Sequence, residues 1–429
     1  MKVFMLGWEF PPFISGGLGT ACYGLTKAMD YLGLKVIFCL PKMVERQYTT
    51  HVNLLTPNSL TSAVASQITE HTNISFHTIK SALQPYSTPD IYQQRIEETL
   101  RQKQQIHRNT RNAASEFVRQ ADYAGDMYTE IHRYAAIAAQ LSEHECFDIV
   151  HAHDWMTYPA GIAVAAVSGK PLIVHVHSTE FDRNGEHVNQ MIYDIEREGM
   201  HAADKIVAVS DLTRNVITNR YGICGDKVEV VHNGIEHNNS PAVPANVTDE
   251  DEKLVLFLGR ITMQKGPEYF LRAAKRVLEV MDNVKFVMAG SGNLLHESVG
   301  MAVELGIGSK VVFTGFLRGD DVRRMYNMAD LFVMPSVSEP FGLVPLEALN
   351  HDVPVIISKQ SGVSEVLTHA LKVDFWDVEE IANKIVAVLK YPPLKTSLQN
   401  HGNLEVRKLR WEDSAAKCAT IYEETLAVV

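Results

Sequence analysis

Short apolar runs separated by helix-length amphipathic segments recur along most of this chain, and they restrict it to parallel α/β sheets. Residues 3–7, 35–40, 148–153, 171–177, 205–210 and 228–232 form one set, and residues 254–259, 284–289, 310–314, 331–334 and 353–357 form a second. Runs this continuously apolar are strands covered on both faces, and intervals long enough for a helix return the chain to the same sheet in parallel. Between the sets, residues 236–247 are polar and contain Pro241 and Pro244, and Asp249-Glu250-Asp251-Glu252 follows. That stretch reads as a linker. The expectation is two doubly wound α/β domains, residues 1–240 and 248–410, facing a cleft at the carboxyl ends of their strands. A length of 429 residues leaves room for both. Residues 89–120, dense in Gln, Arg and Glu, read as one long solvated helix inserted into the first domain.

Composition removes several function classes. No apolar run approaches the roughly 18 residues of a membrane span, and residues 1–7 are too short for a signal-peptide core. The five cysteines, Cys22, Cys39, Cys146, Cys224 and Cys418, are odd in number and scattered. They read as reduced thiols of a cytoplasmic protein. A formal net charge of −11 disfavours a nucleic-acid surface.

Polar motifs cluster directly after the apolar runs. Ser338-Glu339-Pro340-Phe341-Gly342-Leu343-Val344-Pro345-Leu346-Glu347-Ala348 follows the run 331–334. Strand, glycine turn and helix together present free backbone N–H groups to an anion. Glu347 falls on the first turns of the helix, where a carboxylate accepts from vicinal hydroxyls, and Glu339 falls on the loop nearer the anion. An acidic helix start that complements the macrodipole accounts for the same residues. Arg260 and Lys265 follow the run 254–259. Two cations there neutralise a departing diphosphate without a metal, and a surface Arg–Lys pair is the ordinary alternative. Ala289-Gly290-Ser291-Gly292-Asn293 is a small-residue loop, and Thr314-Gly315-Phe316-Leu317 ends another run. Phe316 in the open would stack on a nucleobase, although a place in the core is the commoner use of such a ring.

In the first half, Gly16, Gly17 and Gly19 precede a helical stretch over residues 20–32. Glycines there let backbone amides approach a diphosphate. The spacing is not the dinucleotide fingerprint, and no acidic residue follows the next run, where Leu40-Pro41-Lys42 stands. His151-Ala152-His153-Asp154-Trp155 and His175-Val176-His177-Ser178-Thr179-Glu180 each end a run. Histidines two apart on a strand share a face, as metal ligands do. No cysteine or third histidine recurs at ligand spacing, so no metal is expected. Asp154, Trp155 and His177 read instead as contacts to sugar hydroxyls and a stacking ring. Asn233-Gly234 is a further polar turn.

Together these loops resemble the nucleotide-sugar glycosyltransferases of the two-Rossmann-domain GT-B class with retaining stereochemistry. The resemblance is strongest to bacterial and archaeal glycogen or starch synthases and their group-1 relatives, and it covers the chain except for residues 43–140. By this resemblance Glu339 contacts the donor sugar, the backbone amides of Gly342 and Leu343 cradle the diphosphate, and Phe341 belongs to the donor-binding side. Glu347 takes the ribose, and Arg260 and Lys265 bind the diphosphate. Gly16 and Gly17 match the N-terminal glycine loop, and Phe316 and Leu317 the donor side. His177 matches the active-site histidine near the sugar C6 hydroxyl, and Asn233 an asparagine near the donor sugar. Asp154 and Trp155 match the acceptor side, and Trp8-Glu9-Phe10-Pro11-Pro12 is a synthase-like lead-in. Residues 411–429 would form a helix crossing back onto the first domain. A synthase lysine ahead of the glycine pair is replaced by Ile14-Ser15. The implied donor is ADP-glucose or UDP-glucose, the acceptor a carbohydrate, and no cofactor is called for.

No Asp or Glu stands out as an inverting base or a covalent nucleophile. Stabilisation of the leaving diphosphate by Arg260, Lys265 and helix amides is the expected main effect. A nucleotide-sugar epimerase of the same fold, a transferase for a cell-surface polysaccharide, and a nucleotide-sugar-binding protein without turnover are the alternatives.

Overall fold

The computed structural model describes residues 1–10, 16–40, 53–55, 74–78, 127–237 and 252–428. The helix expected over 89–120 and the linker core at 238–251 lie outside the described residues, as do Ile14 and Ser15.

Strands β1 (Lys2–Leu6), β2 (Lys35–Leu40), β3 (Asn53–Leu55), β4 (Ile74–Thr78), β5 (Ile149–His153), β6 (Leu172–Val176), β7 (Lys205–Ala208) and β8 (Val228–Val230) make an eight-stranded sheet in the order β3-β4-β2-β1-β5-β6-β7-β8. Strands β9 (Lys253–Leu258), β10 (Val284–Ala289), β11 (Val311–Gly315), β12 (Leu331–Met334), β13 (Val355–Ser358) and β14 (Leu371–Val373) make a six-stranded sheet, β11-β10-β9-β12-β13-β14. Every pairing in both sheets is parallel. This is the doubly wound α/β pair that the apolar runs predict. Central strands are buried throughout, as Val3, Phe4, Met5 and Leu6 of β1 illustrate.

Three strands escaped the sequence reading. β3 and β4 lie in the atypical stretch 43–140. β14 is Leu-Lys-Val, too short and polar to register as an apolar run. The first helix, Gly17–Tyr31, begins three residues before residue 20, because Gly17, Leu18 and Gly19 already wind into it.

Chain order reverses in each sheet between two neighbouring strands, β1 and β5 in the first, β9 and β12 in the second. Successive connections leave in opposite directions there, and the loops part to form a crevice at the carboxyl ends.

Two crossover segments lie side by side. Ile235 bridges Arg410 in parallel, its N–H donating to Leu409 O at 3.0 Å, and Ser414 Oγ donates to His232 O at 2.7 Å. The last helix, Trp411–Val428, then lays Trp411, Ala415, Cys418, Ile421 and Tyr422 into the first core. Among the described residues no helix is long and apolar enough to cross a membrane.

Candidate functional site

Loops from the two sheets meet through the Ser338–Asp182 and Ser210–Pro340 hydrogen bonds, and several polar motifs singled out in the sequence lie on those loops. Helix Leu343–Asn350 starts at Gly342, whose φ of +107° is closed to most side chains. A Cβ there would also stand 3.2 Å from Glu339 Cγ. Among the described residues no side chain caps this helix, and its first turn carries no acid, so its leading amides are open to an anion. Across the cleft Gly17 comes close, a Cβ on it being 3.9 Å from Leu343 Cδ1.

The cations and the first carboxylate converge on that helix start. Lys265 ends the short turn Met263–Lys265 after β9, and its Nζ is ion-paired with Glu339 Oε2. Glu339 is buried and also accepts from Ser336 Oγ at 3.4 Å. Arg260 Nη2 donates to Gln264 Oε1 at 3.0 Å. The Val337 N–H donates to Gln264 O at 2.9 Å, which sews the cation loop to the carboxylate loop. Glu347 lies farther along the helix and is half-buried. Its Oε2 accepts from the Tyr326 hydroxyl at 2.9 Å, while burial pushes its carboxyl above the usual range.

The aromatic expectations reverse. Phe316 is 51% exposed, with the Arg318 guanidinium 5.2 Å from its ring centroid, so it is a surface ring and not a core one. Leu317 beside it packs against the second core. Phe341 contributes its ring to the core and faces His232 at 5.9 Å, leaving only backbone for a ligand.

The first half also differs from expectation. Trp155 is buried within the first core and has no ring face to offer an acceptor, because it sits on the inward turn Trp155–Thr157. Asp154 is buried, and its Oδ1 accepts from the His177 and Ser178 amides at 2.7 and 3.3 Å. It ties the end of β5 to the loop after β6, holding its own backbone at φ +59°. Burial raises its carboxyl to about 7. Glu9 is buried, and its Oε2 accepts from the Gly19 N–H at 2.9 Å. One amide expected to meet a diphosphate is therefore already occupied. His177 is half-buried at the cleft, and burial lowers its pKa to about 3, so it acts as a neutral hydrogen-bonding ring. Asn233 is buried at the crossover.

Contacts between the halves were invisible in the sequence. Ser338 Oγ donates to Asp182 Oδ1 at 2.6 Å, and Ser210 Oγ donates to Pro340 O at 2.6 Å. Asp182 is held in the capping box of helix Glu180–Asn184, whose Arg183 is locked between buried Glu180 and Glu196. Glu365 accepts from the Asp211 and Leu212 amides at 2.9 and 2.7 Å and faces His232 Nε2 at 3.3 Å. Burial opposes its charge, but His232 and the two amides outweigh that and hold the Glu365 carboxyl below its usual range. A depressed carboxyl stabilises the fold above its unfolded pKa, about 4.3, and loses that contribution as pH falls through the folded value. The melting-temperature deficit of Glu365→Gln is therefore widest near pH 7 and closes below about pH 4. A deficit independent of pH would show that charge plays no part in this contact.

Comparison with known proteins agrees with this geometry. The Glycosyl transferases group 1 family matches residues 241–404, and Glycosyltransferase Family 4 matches residues 99–239. An uncharacterized glycosyltransferase of Methanocaldococcus jannaschii is 28% identical over 99% of this chain and 98% of its own length. Glycogen synthase of Mycobacterium tuberculosis is 24% identical over 86% of this chain and 80% of its own. The fold matches that of Anabaena HepE in complex with UDP and glucose, with TM-score 0.67, 16% identity and full coverage of both chains.

Proposed function

The chain belongs to the group-1 glycosyltransferases of the GT-B fold, and from that premise we propose that it is a retaining enzyme moving a glucosyl unit from a nucleoside-diphosphate sugar to a carbohydrate. We divide it into an acceptor-side domain, residues 1–240 with the last helix, and a donor-side domain, residues 248–410. The observation that carries the reading is the Lys265–Glu339 pair at the uncapped start of helix Leu343–Asn350.

A diphosphate seated there meets the amides of Gly342 and Leu343, the Lys265 ammonium and the Arg260 guanidinium. Negative charge grows on the leaving oxygen as the glycosidic bond breaks, and donors already in place stabilise it without reorganising. Glu339, turned by Lys265, accepts from sugar hydroxyls, and neutral His177 offers a hydrogen bond from the opposite wall. Glu347 keeps Oε1 for the ribose while Tyr326 holds Oε2. Each nearby carboxylate has a partner: Glu339 with Lys265, Glu347 with Tyr326, Glu9 with the Gly19 amide and Asp154 with the His177 amide. This supports attack from the leaving-group face, the acceptor proton passing to the departing phosphate.

Incubation with ADP-glucose or UDP-glucose and maltooligosaccharides, read by NMR, tests the proposal. An α-linked product is expected, and a β linkage would overturn retention. Burial of Trp155 favours a second reading, a non-glucan acceptor, because the ring meant to stack on a pyranose is in the core. Transfer to another hydroxyl compound and none to maltooligosaccharides would select it.

Glu347→Ala is expected to weaken nucleoside diphosphate binding about tenfold, roughly 1.4 kcal/mol, with the fold intact. Calorimetry measures this directly, and unchanged affinity would remove Glu347 from the site.

A further inference from the structure

Four imidazoles, His151, His153, His175 and His177, gather where β5 and β6 pair, with His153 opposite His175 in the register. Among the described residues their eight ring nitrogens make two hydrogen bonds. His151 Nδ1 meets the Tyr422 hydroxyl, and His153 Nδ1 meets His177 Nε2 at 2.9 Å. His151 Nε2, His153 Nε2 and both nitrogens of His175 are buried without a partner. Buried polar atoms are rarely left so, and several in one place call for a ligand. One ring nitrogen from each of these three residues lies within 4.8 Å of the others.

The pairing pattern identifies the ligand. In His151 and His153 the unpaired atom is Nε2, while Nδ1 bonds a neighbour. A metal-bound histidine has this arrangement, one nitrogen on the ion and the other N–H given to an outer partner. We propose that His151, His153 and His175 hold one transition-metal ion, zinc by the donor set, through Nε2 of the first two and one ring nitrogen of the third. The ring centroids stand 4.4, 5.3 and 5.1 Å apart. Three rings on a tetrahedral ion at about 2.0–2.1 Å per bond need comparable centroid spacing, and these stacked rings, inclined by 15°, 14° and 28°, would turn on binding so that their lone pairs converge. The ion would be structural. By occupying His153 Nε2 it leaves the proton on Nδ1, which donates to His177 Nε2 and so orients the cleft histidine. Sequence spacing could not reveal the site, because the third ligand arrives through strand register.

Metal analysis of tag-free full-length protein tests the site, together with cobalt(II) titration after chelation. About one equivalent of zinc per chain is expected, with the intense visible bands of four-coordinate cobalt. Both are lost in His175→Asn and kept in the double variant His369→Ala/His401→Ala, which removes an exposed stacked pair 4.7 Å apart. Absorption fine structure on the wild-type metal complex gives a readout that needs no variant, and three imidazoles at about 2.0 Å are expected. No metal bound by any preparation would overturn the proposal. So would binding that survives His175→Asn and disappears with the exposed pair, or a shell dominated by oxygen.

Discussion

Lys265→Ala lowers kcat/KM for a nucleoside-diphosphate sugar about a hundredfold or more, roughly 2.7 kcal/mol of transition-state stabilisation. On the proposed function the ammonium acts twice. It stabilises charge that appears only as the diphosphate departs, and it holds Glu339, with which it is ion-paired. Both kcat and donor affinity should fall, since the charge is felt in the ground state and more in the transition state. Removing the ammonium also leaves a buried carboxylate unpaired, which is costly in its own right. The double variant Lys265→Ala/Glu339→Gln removes that strain and is expected to recover stability without recovering turnover. Arg260→Ala should lose about tenfold in kcat/KM, roughly 1.4 kcal/mol. Release of nucleoside diphosphate in a coupled assay gives all three values, and wild-type turnover in Lys265→Ala would place the leaving group elsewhere.

Gly362→Ala is expected to open the cleft and cut kcat/KM at least about tenfold, again roughly 1.4 kcal/mol, with both sheets intact. Gly362 has ordinary helical angles, so alanine brings no backbone strain. The added methyl would fall 2.2 Å from Pro340 O and 2.5 Å from Ser210 Cβ. It would part the Ser210–Pro340 hydrogen bond that joins the halves beside the donor loop. The same segment carries the Gly362 N–H to Glu339 O and the Val363 N–H to Phe341 O, at 2.9 and 2.7 Å. Movement there disturbs the loop that positions Glu339 and Gly342. Small-angle scattering should show a larger radius of gyration than wild type, and an unchanged radius with full activity would dismiss this junction.

Much of this protein was determined by sequence alone, because the signals are local. Runs such as 331–334 and 284–289 can be buried only as central parallel strands, and both occur as strands with those bounds. Glycine before an apolar helix marks an anion-ready start wherever the chain places it, as at Gly342 and Leu343. Side-chain direction was not legible. Trp155 and Phe341 point into cores and Phe316 points out, and only packing of distant elements sets which way a loop ring turns. Long-range pairs were equally hidden, since nothing in one dimension links Ser338 to Asp182 or Glu365 to the Asp211 amide. The histidines make the same point. In sequence they are two unrelated pairs, and the parallel register of β5 and β6 makes them one cluster with three of its rings buried. Sequence determined the sheets and the loops that carry polar groups, because burial and turn chemistry act over a few residues. Tertiary structure decided which groups meet, because only the crossing of the chain between two sheets brings them within bonding distance.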